Sequence, residues 1–253
     1  PLLVLNALPA LIQGGVTINV ISTFTRFFES YNITKGFQDP GAFLHMIPGI
    51  LSFVVSASIL AVVLQLVAEP ATYGMVNKAL QVGWADLNDL IPAIKQNFVK
   101  YLLYWVGIIV VSAVFGIAAT IVFIILILLT MAIKWFGVIL IVLAALAFII
   151  VGVILYTLIS LWFPAMVIDD MDVMSALKQS VEIVKSTFWT ILGIRILLVV
   201  IGGIASSIVG AFVGWIPVIG TIITSVIPTV VNFILIVFFL EIYRDRTGKA
   251  VSV

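Results

Sequence analysis

Cysteine is absent from the 253 residues and histidine occurs once, at His45. Without thiols the chain has neither disulfide staples nor thiolate metal sites, and no redox compartment can be read from it. Charge is nearly as scarce: Asp, Glu, Lys and Arg make up 9% of the residues, and the formal net charge is +1. That balance lacks the basic footprint of a nucleic-acid binder. Catalytic signatures are missing as well, with no H-E-x-x-H, no G-x-S-x-G, no P-loop glycine pattern and no acidic pair deep in an apolar run. No metal, cofactor or catalytic residue is expected, and the chain reads as a non-enzyme. Period-two alternation is also lacking inside the apolar runs, which excludes the strands of a membrane barrel.

What fills the chain is hydrophobic residues, 64% of the total, with a mean hydropathy of +1.36. A water-soluble domain of this length has no core large enough to hide them. A run of about 20 apolar residues crosses a bilayer once as a helix, the only open structure that satisfies its own backbone there. Six such runs are present: Pro1–Ser22, Ile47–Ala68, Tyr101–Met131, Gly137–Val167, Phe188–Trp215 and Thr221–Tyr243. The third and fourth exceed the hydrocarbon thickness and are expected to tilt or run into the headgroups. The chain opens at Pro1 without methionine or a basic n-region, so residues are expected to precede it, and Pro1–Ser22 is too long for a signal-peptide core. The fold class is all-α membrane protein, one domain over residues 1–253.

The cations assign its sides. Lys78, Lys95, Lys100, Lys178, Lys185, Arg244, Arg246 and Lys249 flank the runs on one side, against Arg26, Lys35 and Lys134 on the other. Basic residues favour the cytoplasmic side, which puts both termini in the cytoplasm of a cell-membrane protein. Trp105, Trp162 and Trp189 then mark the inner interface, and Trp135 and Trp215 the outer. Asn32-Ile33-Thr34 is a glycosylation sequon on the outer loop, and His45 falls in that loop too, solvated.

DLIPAIKQN (Asp89–Asn97) returns as DVMSALKQS (Asp172–Ser180), with four of nine positions identical at an offset of 83 residues. Each copy follows a run ending in Pro-Ala, Pro70-Ala71 and Pro164-Ala165. Two copies of one cytoplasmic element need an even number of crossings between them, and two lie there. The pattern predicts a parallel internal repeat, with units of about 47–131 and 137–215. Leu87, Leu90, Ile91, Ile94 and Phe98 form one apolar helical stripe, and Val173, Met174, Leu177, Val181 and Val184 another. Two short amphipathic connector helices are therefore expected, N-capped by Asp89 and Asp172, either on the inner leaflet or packed on the end of the bundle.

A crossing ending in Pro-Ala, a D-x-x-x-A-[IL]-K-Q-[NS] connector and a further crossing resemble a group of uncharacterised prokaryotic polytopic membrane proteins. That group is similar to the membrane domain accompanying some glycerophosphodiester phosphodiesterases. The resemblance covers the chain from about Ala68 onward and implies a six-helix module with lipid-linked work. The soluble phosphodiesterase domain is not in this sequence, and its activity is not carried over.

Arg195 lies eight residues past Thr187 in the fifth run, where a charge needs a partner or a path to the headgroups. Glu69, Asp169, Asp170 and Glu241 fall near the inner ends of other runs, so a cluster with Arg195 is expected, either as a structural ion pair or as a lipid-headgroup site. Gly202, Ser206, Gly210 and Gly214 recur every four residues and predict close helix packing. Gly220, Thr224, Pro228 and Asn232 do the same in the sixth run, as a packing face for the fifth or as a polar conduit. Asn6, Gln13 and Asn19 are amides suited to interhelical hydrogen bonds. The function expected is a non-enzymatic membrane module in membrane or lipid homeostasis, or a subunit of a membrane assembly; the alternative is a carrier or channel for a small solute or lipid. Partners are the bilayer, phospholipid headgroups, and a second copy or a larger membrane complex.

Overall fold

The computed structural model describes residues 2, 4, 6–9, 11–12, 40–133, 135–213 and 216–249. Every regular element among them is helical. From Pro40 onward the α-helices are α1 (Pro40–Val82), α2 (Leu90–Ile133), α3 (Trp135–Leu158), the short α4 (Trp162–Ile168), α5 (Val173–Val213) and α6 (Pro217–Arg246). Among the described residues, five segments are long and apolar enough to cross a membrane: Val54–Val82, Leu87–Thr130, Trp135–Ile168, Val173–Val213 and Ile223–Arg246. Most of the first expected crossing lies outside the described residues, as do Gln13, Asn19, Arg26, the sequon, Lys35, Lys134, Gly214, Trp215 and the side chain of His45.

The helices differ from expectation where proline and serine act. α1 does not stop at Pro70-Ala71 but continues to Val82. A buried proline removes one backbone donor and wedges its ring against the preceding turn, and in a packed apolar helix that loss is tolerated. The helix ends at Gly83, whose φ of +83° is left-handed and costs glycine nothing, with its N–H on the Ala79 carbonyl at 2.9 Å. The fourth crossing is interrupted: α3 ends at Leu158, a turn covers 159–161, and α4 restarts at Trp162. Pro164 sits in the first turn of α4, where its missing N–H is no loss.

The first connector is not a separate helix, whereas a kink sets the second off from its span. Asp86, not Asp89, is the first N-cap: it heads a capping box with Asp89 over a 3-10 turn, Leu87–Asp89, that leads straight into α2. The carboxylate of Asp89 reaches back to the Asp86 N–H at 2.9 Å. Asp172 caps α5, accepting from the Met174 and Ser175 N–H groups at 3.1 Å each. α5 then runs to Val213 with one non-helical residue, Thr187 (φ −120°, ψ 15°), which separates the connector from the span.

The two connector stretches bury alternating faces in the same way. Over 90–99 and 173–182, nine of ten aligned positions share a burial class. Ala93 and Asn97 are buried in the first, Ala176 and Ser180 in the second, whereas Leu87, Ile91 and Met174 are exposed. Over these stretches the fully buried positions are thus small or polar, while the apolar stripe divides between exposed positions and half-buried ones such as Leu90, Ile94, Phe98, Leu177 and Val181.

Contacts group the chain into two units: Pro1–Met75 with Asp86–Ile94 and Ile196–Val237, and Val76–Ala85 with Lys95–Arg195 and Phe238–Val253. In the first, Gly202 and Gly210 of α5 meet Val231 and Thr224 of α6, and a Cβ on Gly202 would stand 2.7 Å from a Val231 methyl. On α6 itself, Ser225 and Thr229 are buried, while Pro228 and Asn232 are exposed. The second unit is built on aromatic rings. Tyr101 and Tyr104 of α2 pack on Trp162 and Phe163 of α4 at centroid distances of 5.0–5.5 Å. Trp162 is core rather than an interface anchor: it is 2% exposed, and its indole N–H donates to the Val173 carbonyl at 2.7 Å. Trp135 and Trp189, at 84% and 80% exposed, keep the open setting that an anchor needs.

Candidate functional site

The second unit carries a groove of about 400 Å³ between α2 and α3. Tyr101, Tyr104 and Trp105 wall it at one end, Ser112, Phe115 and Gly152 at the other, with Tyr156 on its flank. Its residues belong to spans by length and composition. A concave, mostly apolar surface with a few polar atoms is the form that ligand sites take.

Arg195 of α5 meets this wall. Its guanidinium stands over the Tyr156 ring at 3.9 Å and 5.2 Å from the centroid of the Phe239 ring, and its Nη1 donates to the Tyr156 carbonyl at 3.4 Å. A guanidinium is weakly hydrated and planar, so ring faces and a carbonyl stabilise it where an ammonium would fare worse.

The carboxylates grouped with Arg195 by sequence have other neighbours. Asp169 accepts from Tyr243 Oη at 2.8 Å and from Lys249 Nζ. Asp170, in a left-handed conformation (φ +54°) that aspartate tolerates better than most residues, pairs with Lys100 at 2.6 Å. That hydrogen bond and the ammonium charge hold its carboxyl below the ordinary 3.8. Glu241 is exposed. Glu69 belongs to the first unit, where its Oε1 accepts from Asn232 Nδ2 at 3.1 Å. Close by in sequence, Thr72 donates to the Ala68 carbonyl at 2.8 Å and accepts from Asn6 Nδ2 at 2.6 Å.

Two functional-looking residues escaped the sequence reading. Arg244 is 8% exposed, with its Nη1 donating to Asn77 Oδ1 at 2.9 Å, although a C-terminal arginine reads as a solvated topology signal. Ser180 is fully buried and joins two chain ends: its hydroxyl donates to the Leu158 carbonyl at 2.8 Å and accepts the Leu161 N–H at 3.1 Å. Its place in the repeated motif was the one available signal.

Among the described residues no three His, Asp or Glu side chains come together as metal ligands would. The chemistry on offer is recognition: ring faces, one stacked cation and an apolar trough. No curated protein and no solved structure matches the chain. A family model does match residues 8–246, nearly the whole length, and the chain belongs to that family, described as a domain of unknown function, DUF7847.

Proposed function

We propose that this chain is a non-enzymatic multi-pass protein of the cell membrane that binds lipid, serving membrane or lipid homeostasis alone or as a subunit of a larger assembly. The α2–α3 groove carries the reading. Its apolar floor suits an acyl chain, and Arg195, stacked on the Tyr156 flank, supplies positive charge for a headgroup phosphate. The resemblance of the connectors to the membrane domain that accompanies some glycerophosphodiester phosphodiesterases belongs to the same reading. So do the matched burial patterns over 90–99 and 173–182, which support a parallel repeat, while the distribution of basic residues favours both ends in the cytoplasm.

Native mass spectrometry of protein purified in mild detergent tests it. Wild type retains phospholipid, and Gly152→Leu, which fills the groove, releases it. A wild-type protein that is always lipid-free overturns the reading. The topology has its own test, since the sequence holds no native cysteine. Cysteines placed at Lys95 and Lys178 react with an impermeant maleimide from one side, and reaction from opposite sides removes the repeat. A carrier or channel for a small solute or lipid is the second reading, favoured by a carboxyl inside a span at Glu69 and tested by flux in proteoliposomes.

A further inference from the structure

Glu69 is out of place. It lies 13 residues before the end of the Val54–Val82 span, and at 1.5 Å per residue that is about 20 Å of helix. Its partner Asn232 lies 9 residues into the Ile223–Arg246 span. An ionised carboxylate in hydrocarbon demands a cation, and side chains of this kind inside membranes are paired or functional.

The unit that holds Glu69 supplies no such partner among its described residues. Those of Pro1–Met75, Asp86–Ile94 and Ile196–Val237 include no lysine and no arginine, and the other acids, Asp86 and Asp89, are tied to each other in the capping box. What Glu69 meets is a neutral amide, through a single hydrogen bond. The side chains bonded one helical turn away, Thr72 and Asn6, are neutral too. Directly after Glu69, Pro70 lacks an N–H, which takes the regular helical donor away from the Leu66 carbonyl. Asn232 is exposed and Glu69 half-buried, so in a bilayer the pair borders the acyl chains.

We infer that Glu69 and Asn232 form a binding site for a small monovalent cation, a proton or sodium, inside the membrane-spanning region. Asn232 Nδ2 holds one carboxyl oxygen, and the second oxygen with the Asn232 carbonyl oxygen receives the cation. Binding neutralises the site, which removes the cost of an unpaired charge in an apolar setting. The purpose of such a site, coupling cation movement to a solute, rests on the carrier reading; the site itself does not, and it is tested without any flux.

Dicyclohexylcarbodiimide, an apolar reagent that adds to the acid form of a carboxyl and leaves a stable N-acylurea, is applied to the intact protein in detergent and in liposomes. Peptide mapping is expected to find the adduct on Glu69 in preference to Glu241, Asp172 and Glu182 at the polar ends, with labelling falling as pH rises. Glu69→Gln loses that adduct while keeping the wild-type melting temperature. Protection by sodium chloride but not by choline chloride assigns the site to sodium; equal labelling in both salts assigns it to the proton. Asn232→Ala keeps the carboxyl and speeds its labelling by freeing the bound oxygen. Should Glu69 stay unlabelled in the folded protein while the polar-end carboxyls react, the inference is overturned. Labelling of Glu69 with null flux leaves the site standing and removes only the carrier reading.

Discussion

Arg195 lays its guanidinium on the ring of Tyr156 and hydrogen-bonds the carbonyl of the same residue. One residue thus gives this cation both a ring face and an acceptor. Tyr156→Phe keeps the ring and should leave the melting temperature unchanged, whereas Tyr156→Leu removes it and should cost about 0.5–2 kcal/mol. Thermal unfolding in one detergent measures both. Equal melting of the two variants would remove the stacking from the account.

The Trp162 ring occupies the space beside Gly107, where a Cβ would stand 2.7 Å from Cζ2. Gly107→Ala should therefore destabilise by about 1–3 kcal/mol through overpacking. Gly116, on the same helix, faces open space, and Gly116→Ala should be neutral or slightly stabilising because alanine favours helix. Opposite signs for two identical substitutions on α2, read as melting shifts with Trp fluorescence, identify packing as the cause.

Ser180→Ala strips the turn at 159–161 of both a donor and an acceptor, leaving the Leu158 carbonyl and the Leu161 N–H without the Ser180 hydroxyl. The expected loss is about 1–3 kcal/mol. Hydrogen exchange should quicken first at Leu161 and in α4; unaltered exchange there would show that the hydroxyl does not hold the break together.

Acid should loosen the segment between α4 and α5. Asp170 is held below the ordinary 3.8 by Lys100, and Asp172 by hydrogen bonds from Ser175. A carboxyl lowered in the folded state contributes stability above its unfolded value, and that contribution fades as pH falls through the folded one. Melting should be level above about pH 5 and decline below 3.8, and Asp170→Asn should flatten that decline. The Lys100 pair is exposed on the aspartate side, so added salt should weaken its share.

Much of the fold was legible because hydrophobic runs report the bilayer directly. Crossings two, three and six fall inside α1, α2 and α6, and crossing five follows α5 as far as Val213. The N-cap at Asp172 was readable from one carboxylate before an apolar stripe, since that spacing matches the amides of a first turn. The end of α1 was not, because Pro70 ends a helix in water but need not in an apolar setting where no solvent competes for the backbone. Asp86 was missed in favour of Asp89 because both precede the stripe, and only the turn geometry decides which carboxylate caps. The neighbours of Asp169, Asp170 and Arg195 were illegible: nearness to one end of a span says which residues share a depth, but the rotation of each helix decides which side chains meet.

Over 90–99 and 173–182 the fully buried positions of the connectors are small or polar, Ala93 with Asn97 and Ala176 with Ser180, while Ile91 and Met174 are exposed. Side chains this small let the backbones they face come close together. Cohesion here depends on closeness of fit instead of on solvent aversion. A bulky residue at Ala176 should therefore do more harm than a polar one, inverting the order of severity familiar from the interiors of water-soluble domains.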